Sequence, residues 1–106
     1  MGLFGKLFGA GAASEALPEN AILIDVRSPE EFASGHIKDA ISVPLNRLPS
    51  AIGSVASNKS APVIVYCQSG GRSASARRLM LDMGYQNVIN GGGIRSLAGR
   101  MNREIL

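Results

Sequence analysis

The run VIVYCQSGGRSASARRLM, residues 63–80, constrains the chain more than any other stretch. Its first four residues are β-branched or aromatic and apolar, as expected of a strand covered on both faces. Cys67 closes that strand, Gly70 and Gly71 follow, and the alanine-rich segment from Arg72 onward has helical composition with Gly84 placed to stop it. A strand end, a glycine turn and a helix start therefore converge on one sulfur. It is the only cysteine among 106 residues. A lone cysteine is ordinarily small core filler, and the alternative here is a nucleophile held among backbone N–H groups.

The second reading has a physical basis. Gly70 and Gly71 permit positive φ, so the loop can curl with successive N–H groups turned inward. The following helix adds its unpaired first-turn N–H groups and the positive end of its dipole. Such surroundings lower a thiol pKa and leave a thiolate ready at neutral pH. Arg72, always charged, adds Coulombic support or grips an oxyanion of a substrate.

The rest of the chain alternates strand and helix. AILIDV (21–26) and AISVPL (40–45) read as strands, the second ended by Pro44. Between them SPEEFASG reads as a helix, with Ser28 as N-cap, Pro29 at the first position, Glu31 completing a capping box and Gly35 as the stop. Leu45, Leu48, Ile52 and Val55 recur at helical spacing, with Pro49 at a helix start. QNVIN (86–90) is a further short strand, then GGG and a final helix over IRSLAGRMNREIL. This order predicts an α/β domain: a small, mainly parallel sheet of about four to five strands with helices on both faces. Ligands collect at the carboxyl ends of such strands, and Cys67 sits at one.

Composition narrows the function. With 45% apolar residues a folded domain is expected rather than disorder, and the length suits one core. A net charge of +3 without a long basic run, three Phe, two Tyr and no Trp argue against nucleic-acid binding. One cysteine excludes an internal disulfide and leaves no Cys/His cluster for zinc. Residues 1–16 stand apart as a leader before the domain over 17–106. Leu3, Phe4, Leu7 and Phe8 share one face of a short helix. The leader is expected to pack on the domain or fray; membrane-surface contact by residues 1–9 and an export-signal remnant are the alternatives. The expected location is cytoplasmic, with export or membrane association through the leader as the alternative.

Three segments together carry a family resemblance: IDVRSPEEFASGHIKDAISVPL, YCQSGGRSASA and GYQNVINGGG, in this order and spacing. The chain resembles the single-domain rhodaneses, thiosulfate or persulfide sulfurtransferases, from about residue 21 to about residue 97. The resemblance implies that Cys67 takes a sulfane sulfur from a small anionic donor such as thiosulfate. The resulting persulfide passes it to a thiol or cyanide, or to a sulfur-accepting protein. It also implies that the N–H groups of Gln68, Ser69, Gly70, Gly71, Arg72 and Ser73 form the cradle, that Arg72 contacts the donor anion, and that neither metal nor organic cofactor takes part. Asp25 and Arg27 flank Val26 and point away from its side, so they are expected to organise the site by charge pairing. His36 in GHI is expected to serve structure by bonding loose backbone groups at a helix end. Arg77 and Arg78 are expected on a solvated helix face, Met80 and Met83 in or near the core. The family often has glycine, asparagine and tryptophan where this chain has Asp39, Ser42 and Leu97.

Two rival functions use similar parts. Cysteine phosphatases and arsenate reductases place arginine six positions after the cysteine; CQSGGR places it five after, and the shorter loop suits a single sulfur better than a phosphate. A non-catalytic or sulfur-relay interaction module is the other. Inactive rhodanese-like modules generally lack the cysteine, which this chain keeps.

Overall fold

The computed structural model describes residues 17–106; expectations for the leader lie outside the described residues. Four strands, β1 (Ile22–Asp25), β2 (Ile41–Ser42), β3 (Val63–Cys67) and β4 (Val88–Gly93), form one sheet in the order β2-β1-β3-β4. Every pairing is parallel. The helices are α1 (Pro29–Ser34), α2 (Leu48–Val55, after a 3-10 turn at Leu45–Arg47), α3 (Gly71–Asp82) and α4 (Ile94–Met101). The α/β expectation holds.

Alternation along β3 divides its side chains between two cores. Val63, Val65 and Cys67 face Leu48 and Ile52 of α2 and Ala76 and Met80 of α3. Ile64 and Tyr66 face Ile94, Leu97 and Ala98 of α4. All five β3 residues are buried, as the unbroken apolar run requires. Cys67 thus points to the α3 side of the sheet.

Several boundaries differ from expectation. The second strand is two residues long, because the chain bends at Pro44 into the 3-10 turn, although Val43 and Leu45 still donate N–H bonds to Asp25 and Val26 of the first-strand segment. The last strand runs on through the glycines: register passes from Val65↔Asn90 to Tyr66↔Gly92, leaving Gly91 as an extra residue. The final helix stops at Met101, where Asn102 takes the left-handed conformation (φ 54°). The tail then pairs with residues 36–38, through an Ile37–Ile105 bridge and Leu106 N–H to the His36 carbonyl at 2.7 Å. Asp39, where the family often has glycine, keeps the left-handed backbone (φ 73°), which a short polar side chain tolerates. Leu97 fills the tryptophan position and is fully buried.

Tyr66 ties the sheet to this outer segment. Its buried hydroxyl accepts the Ile37 N–H at 3.0 Å. Tyr66→Phe leaves that donor unpaired in the interior, so a loss of about 1–3 kcal/mol is expected. The check is a chemical denaturation curve; an unchanged midpoint would contradict the assignment.

Candidate active site

The chain leaves β1 to build β2 on one side, then crosses to β3 on the other. The carboxyl ends of β1 and β3 therefore flank the point where strand order reverses, the usual place for a ligand crevice. Asp25 and Arg27 stand at one end, Cys67 and Gln68 at the other.

Beyond Cys67 the backbone turns through Gly70, whose φ of +108° only glycine adopts readily, straight into α3. The helix has no side-chain N-cap. Its third residue, Ser73, directs its N–H at Cys67 Sγ at 3.4 Å, and Gly70 N–H reaches the same sulfur at 3.0 Å. The sulfur thus takes the place of a capping oxygen, where the helix dipole favours negative charge. Burial pushes the Cys67 thiol up, but the hydrogen bonds open to its anion from the Ser73 side chain and from the Ser73, Gly70 and Ser69 amides outweigh it, so the pKa lies below the ordinary thiol value; at rest the thiol donates to Ser73 Oγ at 3.5 Å. Within the Gln68–Ser73 loop, the amides of Gly70 and Ser73 reach the sulfur at hydrogen-bond distance. Gly71 has no positive φ and open space around its α-carbon, so it serves as the first helical residue rather than the curl.

Cys67 is 1% exposed, while Gln68, Ser69 and Gly71 are exposed. The resting loop closes over the sulfur. Its far side rests on Gly93, where a Cβ would lie 2.7 Å from the Gln68 carbonyl oxygen.

Asp25 and Arg27 meet as expected. Both are buried, and the Arg27 guanidinium donates to the Asp25 carboxylate through Nε at 3.0 Å and NH2 at 2.7 Å. The same guanidinium donates to the Gly35 carbonyl at 2.6 Å and to Gln68 Oε1 at 3.1 Å. One buried cation thereby joins the end of β1, the end of α1 and the cysteine loop. Beside it lies a cleft of about 210 Å³, lined in part by Arg27, Gln68, Ile94 and Arg95. His36 stacks on Phe32 at 3.8 Å, and its Nδ1 lies 3.0 Å from the Phe32 carbonyl, at the end of α1.

Arg72 turns toward α1. Its guanidinium donates to both oxygens of Glu31 at 2.7 and 3.0 Å, with side-chain exposures of 41% and 34%. The Arg72 bonds, followed by the Ser28 N–H of the capping box, hold the Glu31 carboxyl at about 2. Arg77, though exposed, donates Nε–H to the Val88 carbonyl at 2.8 Å; Met80 is fully buried and Met83 half-buried.

Sequence reasoning missed Asn90, which accepts from the Ser73 hydroxyl at 2.6 Å, and the close approach at Gly93. Asn90 read as the last residue of a strand and Gly93 as the end of the glycine run between that strand and the final helix. Pairing with Val65 puts Asn90 on the α3 side of the sheet, and the bulge at Gly91 sets Gly93 opposite Cys67. Among the described residues no group of three acidic, His or Cys side chains is placed to hold a metal, and no helix is long and apolar enough to cross a membrane.

The chain matches the rhodanese-like domain family over residues 10–97, a span that begins inside the expected leader. It is 37% identical over 75 residues to the thiosulfate sulfurtransferase PspE of Escherichia coli, covering 71% of this chain and 72% of that protein. A solved structure described as a rhodanese with anions from E. coli superposes with a TM-score of 0.70 at 36% identity, covering 72% of this chain and 89% of the other. The domain also resembles part of longer proteins. A tRNA uridine(34) hydroxylase of Hamiltonella defensa is 30% identical over 95 residues, 83% of this chain but 27% of that protein. With the parallel sheet and the cysteine loop in place, the family match over most of its length makes this chain a member of the rhodanese-like domain family.

Proposed function

We propose that this chain is a sulfurtransferase that carries a sulfane sulfur on Cys67. The observation that carries the reading is the pair of amides aimed at Sγ at 3.0 and 3.4 Å from a helix start. The name of the E. coli relative, a thiosulfate sulfurtransferase, supports the same chemistry.

The Cys67 thiolate attacks the sulfane sulfur of thiosulfate. A new S–S bond forms, the sulfur–sulfur bond of thiosulfate breaks, and sulfite leaves with the electron pair. The product is a Cys67 persulfide anion, which the loop amides stabilise as they do the thiolate. Cyanide or a thiolate acceptor then attacks the outer sulfur, and the electron pair of the breaking S–S bond returns to Sγ. Each step forms one bond to the transferred sulfur (S–S with a thiolate, C–S with cyanide) and breaks one S–S bond, the leaving group taking the electron pair, so no redox partner enters. Because the sulfur is covered at rest, the exposed residues Gln68, Ser69 and Gly71 are the part that yields to admit a donor.

Arg72 is the proposed contact for the donor anion. A surface ion pair such as Arg72–Glu31 is worth little, and two of the five guanidinium N–H groups suffice to make it. Rotation away from Glu31 toward an incoming sulfonate is therefore cheap.

Incubation with thiosulfate should add one sulfur atom to the intact mass of the wild type and none to Cys67→Ser. No gain on the wild type would favour a non-catalytic module. Arg72→Ala should raise the KM for thiosulfate roughly tenfold, the value of one charge-assisted hydrogen bond, and change use of an uncharged persulfide donor little. Glu31→Gln keeps a residue suited to the capping box but frees Arg72, so thiosulfate KM should fall; equal effects on both donors would count against the anion contact. Gly93→Ala should push the Gln68 carbonyl and slow alkylation of Cys67. An unaltered alkylation rate would show that the loop does not depend on that approach.

A further inference from the structure

Ser73 carries one hydroxyl proton and faces three acceptors. Its Oγ lies 2.6 Å from Asn90 Oδ1, 3.1 Å from the Gly70 carbonyl and 3.5 Å from Cys67 Sγ. The orientation of the Asn90 amide is settled by its neighbour: Gly92 N–H donates to Oδ1 at 2.9 Å, so that atom is the carbonyl oxygen and not the amide nitrogen. Asn90 therefore cannot donate to Ser73 from that atom. The shorter of the two oxygen contacts, to Asn90, takes the Ser73 proton in preference to the Gly70 carbonyl, and Ser73 Oγ accepts from the Cys67 thiol. That arrangement suits a thiol S–H donor and opposes a thiolate.

We infer that Asn90 is a positioning residue that governs the ionisation of Cys67 by holding the Ser73 hydroxyl proton away from the sulfur. This inference rests on the reading of Cys67 as the nucleophile. When Cys67 loses its proton to solvent, the hydroxyl swings to the sulfur anion and the Asn90 bond is lost. The amides of Gly70 and Ser73 stabilise the anion in either arrangement. Asn90 thus sets a threshold on a cradle that would otherwise ionise its thiol more readily. Asn90 pairs with Val65, whose side chain faces the α3 core, and this places the Asn90 side chain on the α3 side of the sheet.

The effect is not Coulombic. The charged groups around the loop are Arg72 on α3, paired with Glu31 of α1, and Asp25 paired with Arg27 at the end of β1. Arg95 of α4 lines the cleft beside Gln68, and Arg47 lies exposed at the end of the 3-10 turn that packs against α3. Neither β4 (Val88–Gly93) nor α2 (Leu48–Val55) carries an ionisable side chain. Substituting Asn90 alters none of these charges.

The test is the pH titration of Cys67 in the full chain, followed by thiolate absorbance and by alkylation rate. With one cysteine in the sequence, alkylation has a single source, and a Cys67→Ser blank removes the absorbance of the two tyrosines. Asn90→Ala should lower the midpoint by about one unit, the scale of one hydrogen bond gained by an anion. In a Ser73→Ala background the same substitution should shift it little. Asn90→Ser serves if Asn90→Ala folds poorly: its shorter side chain can keep the turn to Gly92 yet falls short of Ser73, and it too should lower the midpoint. A midpoint unchanged or raised by both substitutions, or an equal fall without the Ser73 hydroxyl, would overturn the inference. The titration needs no sulfur donor. A shifted midpoint in a protein that gains no sulfur from thiosulfate would sink the transferase reading and leave this one standing.

Discussion

The contact between the Cys67 sulfur and the start of α3 is the constraint on which the rest of the site depends. A helix start without a side-chain cap leaves N–H groups looking for an acceptor. Here the acceptor is Sγ, reached by the Gly70 and Ser73 amides. Two needs meet in one atom: the helix gains a cap and the sulfur gains partners for its negative form. Burial alone would make Cys67 an inert core residue, and its 1% exposure fits that description. The direction of the amides separates the two readings, since filler has no use for donors turned toward it.

The same frame explains the buried Asp25–Arg27 pair. Taking two charges out of water is expensive unless further hydrogen bonds complete them. Arg27 is completed by Gly35 and Gln68 as well as by Asp25, and Asp25 also accepts the Arg27 backbone N–H at 2.9 Å. A pair this tightly bound holds three chain segments in register beside the cysteine loop. Gly93 acts on the loop's opposite side, through close approach instead of attraction.

Much of this was legible in the sequence because short-range rules apply. The Ser28–Glu31 capping box, the strand at Val63–Cys67, the helix after the glycine pair and the Asp25–Arg27 pairing are set by neighbours within a few positions. What stayed hidden depends on contacts across the fold. Arg72 looked free to face an anion, and only the packing of α1 beside α3 brings Glu31 to it. Asn90 gained its place from its pairing with Val65 across the sheet, and Gly93 from an extra residue at Gly91, which no periodicity announces. The helix that ends at Met101 is shorter than its composition suggested, because the tail finds backbone partners at residues 36–38.

The most direct measurement is a high-resolution crystal structure of the protein after treatment with thiosulfate. On this account an additional sulfur atom is bonded to Cys67 Sγ and sits within hydrogen-bond distance of the loop amides, with Gly70 still at the turn. An unmodified Sγ, or an added sulfur pointing away from those amides, would contradict it.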